Sequence, residues 1–366
     1  MLPYLINGLV EGAIYALIAL GYTMVYGILG MINFAHGEIY MLGGYAGILM
    51  IGLLVTGGVV GTSVILALGI AFLFGIFVCA IWGAAMERIA YRPLRDAPAL
   101  SPLISAIGSS FFLWNFVMVS QGNLPKQMPG SVRDWLVSTQ FPLTAQVSIS
   151  VLEIGILVTA LLMMGGLQLF IHKTRLGKAM RATAQDRTMS SLVGIPINRV
   201  ITWTFVIGSG LAAVAGIMFA LYTSVMSYQD GYLPGIKAFT AAVLGGIGNI
   251  PGAMLGGFVL GITENLAMWE GSQVGAMQIL VGLAGFALVF YPLRRVRPRL
   301  VLVRWVLAAL VAILVPVLLA VLGISLPGLG FLGRTDYKHV YAFVILMLVL
   351  IFRPRGILGE RVAEKV

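Results

Sequence analysis

Charged residues and cysteine are both scarce in this sequence. Only 10% of the 366 residues are charged, and there is one cysteine, whereas a soluble domain carries about 25% charged residues. So few charges leave too little polar surface to cover a soluble globule, which excludes an ordinary water-soluble fold. Cys79 lies inside an apolar run and has no second cysteine to pair with, so we interpret it as a small packing residue.

Common catalytic motifs are missing as well. The sequence contains neither a GxSxG nucleophile elbow nor an HExxH zinc motif, which disfavours an intramembrane enzyme. The phosphate-binding pattern GxxxxGK[ST] is also absent, because Gly177 and Lys178 are followed by Ala179. We therefore expect neither catalysis nor a cofactor bound by this chain. If ATP drives it, another subunit hydrolyses the ATP.

Apolar residues are abundant, at 60% of the sequence with a mean hydropathy of +1.00. They form runs long enough to cross a bilayer, which takes about 20 residues as a helix, and a helix satisfies its own backbone polar groups in lipid. We predict an all-α, polytopic transmembrane bundle with about 9–11 membrane segments. The clear spans are residues 2–29, 37–55, 63–86, 101–120, 147–171, 200–221, 274–291, 305–322 and 340–352.

The basic residues lie between these runs. The net charge of +10 would suit nucleic acid, but most of the 23 Lys and Arg residues fall in short segments between spans. These segments are residues 87–96, 172–199, 292–304 and the C-terminal tail. The positive-inside rule assigns such segments to the cytoplasm. We therefore predict a multi-pass protein in a bacterial-type inner membrane, surrounded by lipid, with these loops and the C-terminus cytoplasmic and no nucleic-acid partner. The N-terminus lacks a basic n-region and is interpreted as a retained span.

The stretch 238–268 does not fit a single regular span. This orientation requires the chain between residues 221 and 274 to cross the membrane twice or not at all, and 238–268 is too short for two full spans of about 20 residues. Its centre, residues 244–252, contains four glycines and a proline. Relative to alanine, a glycine in a helix interior destabilises the helix by about 1 kcal/mol, and a proline by about 3 kcal/mol. We predict a broken or re-entrant helix pair whose irregular backbone lines a cavity.

A second interruption lies between the first two spans, at residues 31–38. Met-Leu-Gly-Gly follows it at residues 41–44, and the same four residues follow the later interruption at 254–257. Paired interruptions in two repeats point to the binding site of a transporter. The Asn-to-Met spacings differ, so a chance echo is the alternative. We predict that residues at both interruptions line the substrate pathway: Asn33, His36, Gly245, Gly246, Gly248 and Asn249.

Other ionisable residues within the spans allow two interpretations. Glu11 and Glu264 are candidates for function because charged residues are costly in lipid, but hydrogen bonds to neighbouring helices are the interpretation that we prefer. His36 and Glu38 lie close together in sequence, yet two residues are too few to indicate a metal site. We therefore predict no metal.

The loop at 172–199 contains an amphipathic pattern. Residues 176–193 are predicted to form one helix, with Leu176, Met180, Ala184 and Arg187 on one side. Gly194 and Pro196 end it. Such a helix could lie on the membrane and fix topology, or it could dock into a groove of a cytoplasmic motor. Its length favours the motor, because a topology signal needs only a few charges.

Several stretches together resemble the permeases of branched-chain amino acid ABC importers, the LivH-like subunits. They are residues 21–47 with NFAHGE at 33–38, 87–108 with YRPLR at 91–95, 174–195, 235–257 with KAFTAAVLGGIG at 237–248, and FRPRGILGE at 352–360. In a single permease domain of residues 1–366, the resemblance covers 1–270 and 337–360. Residues 271–336 intervene as an insertion with two further predicted spans, and 172–199 is the coupling loop.

The resemblance implies the permease subunit of an importer for leucine, isoleucine, valine or related small amino acids. ATP and Mg would be used by partner subunits. The implied partners are a second related permease, two ATP-binding subunits and an extracytoplasmic substrate-binding protein. Contact with the ATPase would involve Ala182, Ala184, Asp186, Gly194 and Ile195. Two alternatives are the same machine carrying urea or short amides, and a stand-alone channel or secondary transporter, which leaves the long cytoplasmic helix unexplained.

Overall fold

A computed structural model describes most of the first 266 residues. The described residues are 2–95, 97–98, 100–144 and 147–266, with Phe343, Val344, Met347 and Gly356. The predicted spans beyond residue 270, the loop at 292–304 and the insertion at 271–336 lie outside the described residues, apart from isolated positions, and stay predictions. Within the described part the chain is mostly helical, which confirms the predicted fold class.

The helices are numbered in chain order. They are α1 (Leu2–Leu29), α2 (His36–Thr56), α3 (Val59–Thr62), α4 (Val64–Met86), α5 (Leu100–Gln121), α6 (Gly130–Ser138), α7 (Val151–Lys173), α8 (Arg175–Gln185), α9 (Arg187–Leu192), α10 (Ile197–Thr223), α11 (Tyr232–Gly245) and α12 (Ile250–Leu266). A π-helical turn at Glu87–Tyr91 and a 3-10 turn at Arg92–Leu94 continue α4. Among the described residues, six helices are long and apolar enough to cross a membrane: α1, α2, α4 with its extension, α5, α7 and α10.

Two small antiparallel sheets join loops outside these spans. β1 (Lys126–Gln127) pairs with β4 (Val225–Met226), and β2 (Gln140–Thr144) pairs with β3 (Val147–Ser150). The first pairing brings the chain after α5 next to the chain after α10. The span predicted to start at residue 147 starts instead at Val151, because Ser150 and Glu153 form a capping box there.

The described residues belong to two compact units. In one, residues 2–11 pack against residues 259–266. A Cβ on Gly8 would lie 2.7 Å from the Cα of Ile262, and Asn265 Nδ2 donates to Glu11 Oε2 at 3.0 Å. That bond supports the interpretation of Glu11 as a hydrogen-bonding residue. The other unit contains residues 12–258 and Gly356.

The core of the larger unit is the contact between α2 and α10. A Cβ on Gly43 would collide with the backbone of Ala213, and a Cβ on Gly216 would lie 2.7 Å from the backbone nitrogen of Gly44. Small residues allow this approach of two helix backbones. The most apolar stretch of α10 is 83% buried, whereas that of α5 and that of α7 are each only 17% buried. Helices α5 and α7 therefore turn most of their apolar side chains outward, as peripheral membrane helices do.

Two interruptions divide the helices of this unit. We call residues 30–35, between α1 and α2, break 1, and residues 246–249, between α11 and α12, break 2. The preceding helices end at glycines with left-handed φ angles, +67° at Gly30 and +105° at Gly246. Each break also has an asparagine whose side chain accepts a backbone hydrogen bond. Asn33 Oδ1 accepts from Ala35 N at 3.1 Å, in the turn before α2, and Asn249 Oδ1 accepts from Gly252 N at 2.9 Å, at the start of α12. The predicted broken helix pair is thus α11 and α12.

The single helix predicted over residues 176–193 is wrong, because the structure has α8 and α9 in its place. Asp186 separates them with an extended backbone, and its Oδ1 accepts from Met189 N at 3.0 Å to cap α9. The buried side of α8 is formed by Gly177, Met180 and Thr183. Of the predicted side, only Met180 is buried. Leu176 is partly exposed and Ala184 is exposed, so that side was placed partly incorrectly.

Candidate functional site

The two breaks lie side by side at the end of α1. A Cβ on Gly27 would lie 3.6 Å from the Cα of Gly248. One residue of each break, Ile32 and Ile247, lines a common cleft with side chains of α1 and α11. We call this set the aromatic cleft: Tyr22, Tyr26, Ile32, Phe239, Ala242 and Ile247. The cleft is narrow, with a cavity volume of about 10 Å³, which is room for about one water molecule.

Packed rings form the wall of the aromatic cleft. The Tyr22 and Phe239 rings meet edge to face with centroids 6.1 Å apart, and Phe34 of break 1 lies 6.1 Å from Phe239. Offset and edge-to-face arrangements of this kind stabilise ring pairs and restrict their movement. The cleft is therefore an apolar surface with a defined shape, bordered by irregular backbone on two sides.

Asn33 and His36 are both buried beside the cleft. Asn33 Oδ1 accepts from the hydroxyl of Tyr91 at 2.6 Å, in addition to its bond from Ala35 N. Its Nδ2 is buried and has no hydrogen-bond partner within the part of the chain that the structure describes. The His36 ring packs edge to face on Tyr22 at 4.8 Å and fills the space left by Gly21. His36 therefore packs between α1 and α2 instead of facing the cleft.

The predicted residues of the later interruption have different surroundings. A Cβ on Gly245 would collide with the carbonyl of Gly252, so this glycine permits the close approach of α11 and α12. Gly356 lies directly against the backbone of Gly246. Gly248 is exposed, with φ of +92°, and Asn249 is partly exposed. The structure thus places Gly248 beside the end of α1, and it buries Gly245 and Gly246.

Two further observations concern polar groups. Lys237 of α11 is buried, and its Nζ donates to the hydroxyl of Tyr15 at 3.0 Å while lying 5.2 Å from the centre of the Tyr15 ring. The sequence analysis did not single it out, although an ionisable residue within a membrane half-helix is itself a signal. Among the described residues, no three His, Cys, Asp and Glu side chains are close enough to hold a metal ion.

The residues expected to contact an ATPase lie around α8 and α9. Ala184 and Gly194 are exposed, while Ala182, Asp186 and Ile195 are partly exposed. Three apolar side chains beside them were not predicted. Met189, Leu192 and Val193 are 62%, 75% and 76% exposed. We call these three the α9 apolar surface. Apolar residues on the outer side of a short polar helix were the signal for it.

A buried ion cluster joins the two basic segments at this end of the larger unit. Glu87 is fully buried and accepts from Arg92 at 3.2 Å, from Thr202 at 2.7 Å and from Arg95. Arg95 also donates to Asn198 Oδ1 at 2.6 Å. Burial lowers the pKa of the Arg95 guanidinium, and Glu87 acts in the opposite direction, so Arg95 remains a cation. The loop after α4 is thereby attached to the start of α10.

A separate arginine connects α9 to α1. Arg187 Nη2 donates to the carbonyl oxygens of Ile28 and Leu29, at 2.8 Å and 2.5 Å. These carbonyls belong to the last turn of α1, next to break 1. The connection joins residues far apart in sequence. The sequence pattern placed Arg187 on the same side of the predicted helix as Leu176, Met180 and Ala184, and this contact was not predicted.

Comparison with known proteins gives a consistent set of relatives. A family model described as "Branched-chain amino acid transport system / permease component" matches residues 4–275. The chain is 43% identical over 365 residues to the high-affinity branched-chain amino acid transport system permease protein BraD of Pseudomonas aeruginosa. It is 38% identical over 366 residues to the corresponding LivH protein of Escherichia coli K12.

These two alignments include 100% of this chain, with 98% of the BraD protein and 97% of the LivH protein. They therefore extend over residues 276–336, which the family model does not reach. A probable branched-chain amino acid permease LivH of Methanocaldococcus jannaschii is 27% identical over 70% of this chain and 80% of its own length. No solved structure matches the chain.

Proposed function

Because this chain is a multi-pass membrane protein that belongs to the family of permease components of branched-chain amino acid transport systems, we propose that it is the translocating subunit of an ABC importer for leucine, isoleucine and valine. Its relatives BraD and LivH carry high-affinity branched-chain amino acid transport in their names. In this proposal the chain itself is not an enzyme, and partner subunits use the ATP and Mg.

The observation that carries the proposal is the aromatic cleft between the two breaks. When the cleft widens to admit an aliphatic side chain, that side chain leaves water for an apolar wall, which stabilises it by about 0.8 kcal/mol per buried methylene. Urea and short amides gain little from such a wall, and burial costs them hydrogen bonds to water. The cleft therefore favours branched aliphatic cargo over the small polar solutes.

Polar groups for the rest of an amino acid are available at the breaks. Irregular backbone at membrane depth needs a cavity or protein to receive its polar groups, and Gly248 is exposed where break 2 meets the end of α1. The buried Nδ2 of Asn33 is a further donor on the break 1 side. We propose that Gly248, Asn249 and Asn33 border the path of the ammonium and carboxylate groups, with Gly245, Gly246 and His36 as packing residues behind it.

The partners follow from the proposed machine. A second related permease would complete the pathway, two ATP-binding subunits would dock on the α9 apolar surface, and an extracytoplasmic binding protein would deliver the amino acid. Docking of the ATPases on this surface requires the basic segments 87–96 and 172–199 to be cytoplasmic, as the positive-inside rule predicts. Movement of α8 and α9 would then switch the cleft between outward and inward access, with different contacts in each state.

One experiment tests the cargo. Uptake of labelled leucine is measured in cells that express the transporter, with unlabelled valine, isoleucine, urea or acetamide as competitors. Valine and isoleucine should compete, whereas urea and acetamide should not. Ala242→Phe should abolish uptake by filling the cleft, while Leu162→Phe, on the exposed side of α7, should leave it unchanged. Competition by urea at equal concentration would assign the cleft to polar solutes.

A second experiment tests motor docking. Val193→Arg places a cation on the α9 apolar surface without disturbing the core, because Val193 is exposed. The variant should insert normally but recover less ATPase subunit in a mild-detergent pull-down and lose uptake. Val193→Ile, which keeps the surface apolar, should behave as wild type. Normal co-purification and uptake of Val193→Arg would reject this surface as the docking site.

A further inference from the structure

We infer that Arg187 is the positioning residue that transmits movement of α9 to the two breaks. This inference rests on the proposed function, since it takes α9 to be the helix that contacts the motor. The movement would pass from the α9 apolar surface, through the Arg187 guanidinium, to the end of α1 and the aromatic cleft beside it.

The first step of this route is the contact between Arg187 and α1. The carbonyl oxygens of Ile28 and Leu29 lie in the last turn of α1, where a helix leaves carbonyls without partners in its own ladder. A cation at this end also interacts favourably with the helix dipole. One Nη2 atom binds both oxygens, so the end of α1 is held by a side chain from a segment far away in sequence.

The second step is the position of this helix end. Gly27, adjacent to the bound turn, lies so near Gly248 of break 2 that a Cβ on it would be 3.6 Å from the Gly248 Cα, and Gly30 begins break 1 a few residues later. A small shift of residues 27–29 therefore changes the spacing between the two breaks. Because Tyr26 is on the same turn and lines the aromatic cleft, the same shift changes the width of the cleft.

The third step is the geometry of α9 itself. This helix has six residues, with Arg187 at its start and Leu192 at its end. Arg187 contacts the bundle while Leu192 and Val193 are exposed on the outside. Asp186 caps α9 and separates it from α8. A force on the exposed residues thus acts on a short, capped element whose bundle-side anchor is Arg187.

The surrounding contacts give this anchor a fixed reference. The cluster of Glu87, Arg92, Arg95 and Thr202 attaches the loop after α4 to the start of α10. From that loop, Tyr91 holds Asn33 of break 1 at 2.6 Å. Break 1 is therefore held on one side by a buried cluster and on the other by α1, whose end Arg187 controls. Movement of α9 relative to α10 displaces the end of α1 and leaves the bond between Tyr91 and Asn33 in place.

The test is to separate ATP hydrolysis from transport in the complete complex. Arg187→Gln should assemble with its partners and hydrolyse ATP within about twofold of wild type, while leucine uptake falls by about tenfold or more. Leucine uptake by Arg187→Lys should lie between that of wild type and that of Arg187→Gln, since lysine keeps the charge but not the guanidinium geometry. Arg199→Gln is the matched control: it removes an exposed cation from the same basic segment and should leave both activities unchanged.

A second readout reports the cleft directly. In Ile247→Cys the thiol is in the aromatic cleft, and the native Cys79 is buried and gives little background. Its labelling rate should change when ATP is added to the complex, and Arg187→Gln should remove that change. The inference is overturned if Arg187→Gln still couples ATP hydrolysis to leucine uptake and if labelling of Ile247→Cys still responds to ATP in that variant. Loss of assembly in Arg187→Gln would also overturn it, by making Arg187 a structural residue.

These outcomes differ from a failure of the proposed function. If no ATPase co-purifies with the unsubstituted chain, the proposal of an ABC importer is wrong, whatever Arg187 does. If the ATPases co-purify, and Val193→Arg uncouples transport while Arg187→Gln does not, the importer proposal holds and the proposed role of Arg187 is wrong.

Discussion

Replacing Glu87 with alanine should destabilise the protein by about 3–5 kcal/mol, which is the usual cost of removing one partner from a buried ion pair. The Glu87 side chain is 0% exposed, and its partner Arg95 is 11% exposed. The alanine variant leaves Arg95 largely buried, with Asn198 as a neutral partner. Arg92 is 39% exposed, so its share of the effect is at most about 1 kcal/mol. The loss is therefore dominated by the uncompensated cation at Arg95.

The native cysteine provides the assay. Cys79 is buried, and it is the one cysteine of the sequence, so the rate at which a maleimide labels it in detergent follows the population of opened chains. A loss of 3–5 kcal/mol corresponds to labelling that is between about a hundredfold and a few thousandfold faster. Thermal unfolding followed with a thiol-reactive dye gives an independent measure.

Two controls make the result interpretable. Asp134→Ala removes a carboxylate that is 75% exposed and lies 4.0 Å from Arg133, so it should cost less than about 1 kcal/mol. The double variant Glu87→Ala with Arg95→Met removes the buried cation as well and should be more stable than Glu87→Ala alone. An effect of Glu87→Ala no larger than that of Asp134→Ala would refute this view of the cluster.

Three further predictions concern packing, the breaks and a helix cap. Gly216→Leu should prevent stable contact of α10 with α2, seen as a low yield of folded protein, while Gly166→Leu should be silent because no atom lies within 4 Å of a Cβ there. Gly246→Leu should abolish leucine uptake at equal expression, because a φ of +105° is strained for any residue with a side chain. Ser150→Ala should lower stability by about 1 kcal/mol in thermal unfolding, through loss of the α7 cap.

The spans and the break were predictable because each depends on local composition. A run of about 20 apolar residues is sufficient to indicate a membrane helix, and the glycines of residues 244–252 are sufficient to indicate an interruption. The Asp186 cap was harder to predict. An aspartate in a polar, helix-forming stretch fits a helix interior as well as a cap, and the choice depends on how α8 and α9 pack against the bundle.

The aromatic cleft and the Arg187 contact were not predictable from one sequence. Membrane helices are apolar on every side, so their hydropathy does not say which face of α1 carries Tyr22 and Tyr26 inward. Arg187 meets Ile28 across 159 residues, and no local pattern encodes such a contact. Lys237 could have been found, since a single lysine in an apolar half-helix is a local signal.

The central claim is that this chain conducts branched-chain amino acids only as part of an ATP-driven complex. The direct test is to purify the tagged chain from native membranes in mild detergent, reconstitute what co-purifies into liposomes, and measure leucine accumulation with the substrate-binding protein outside and ATP inside. We predict accumulation that requires ATP and that is absent from liposomes holding this chain alone. Leucine transport by the chain alone, without ATP or partner subunits, would contradict the account and would indicate a self-sufficient channel or secondary carrier.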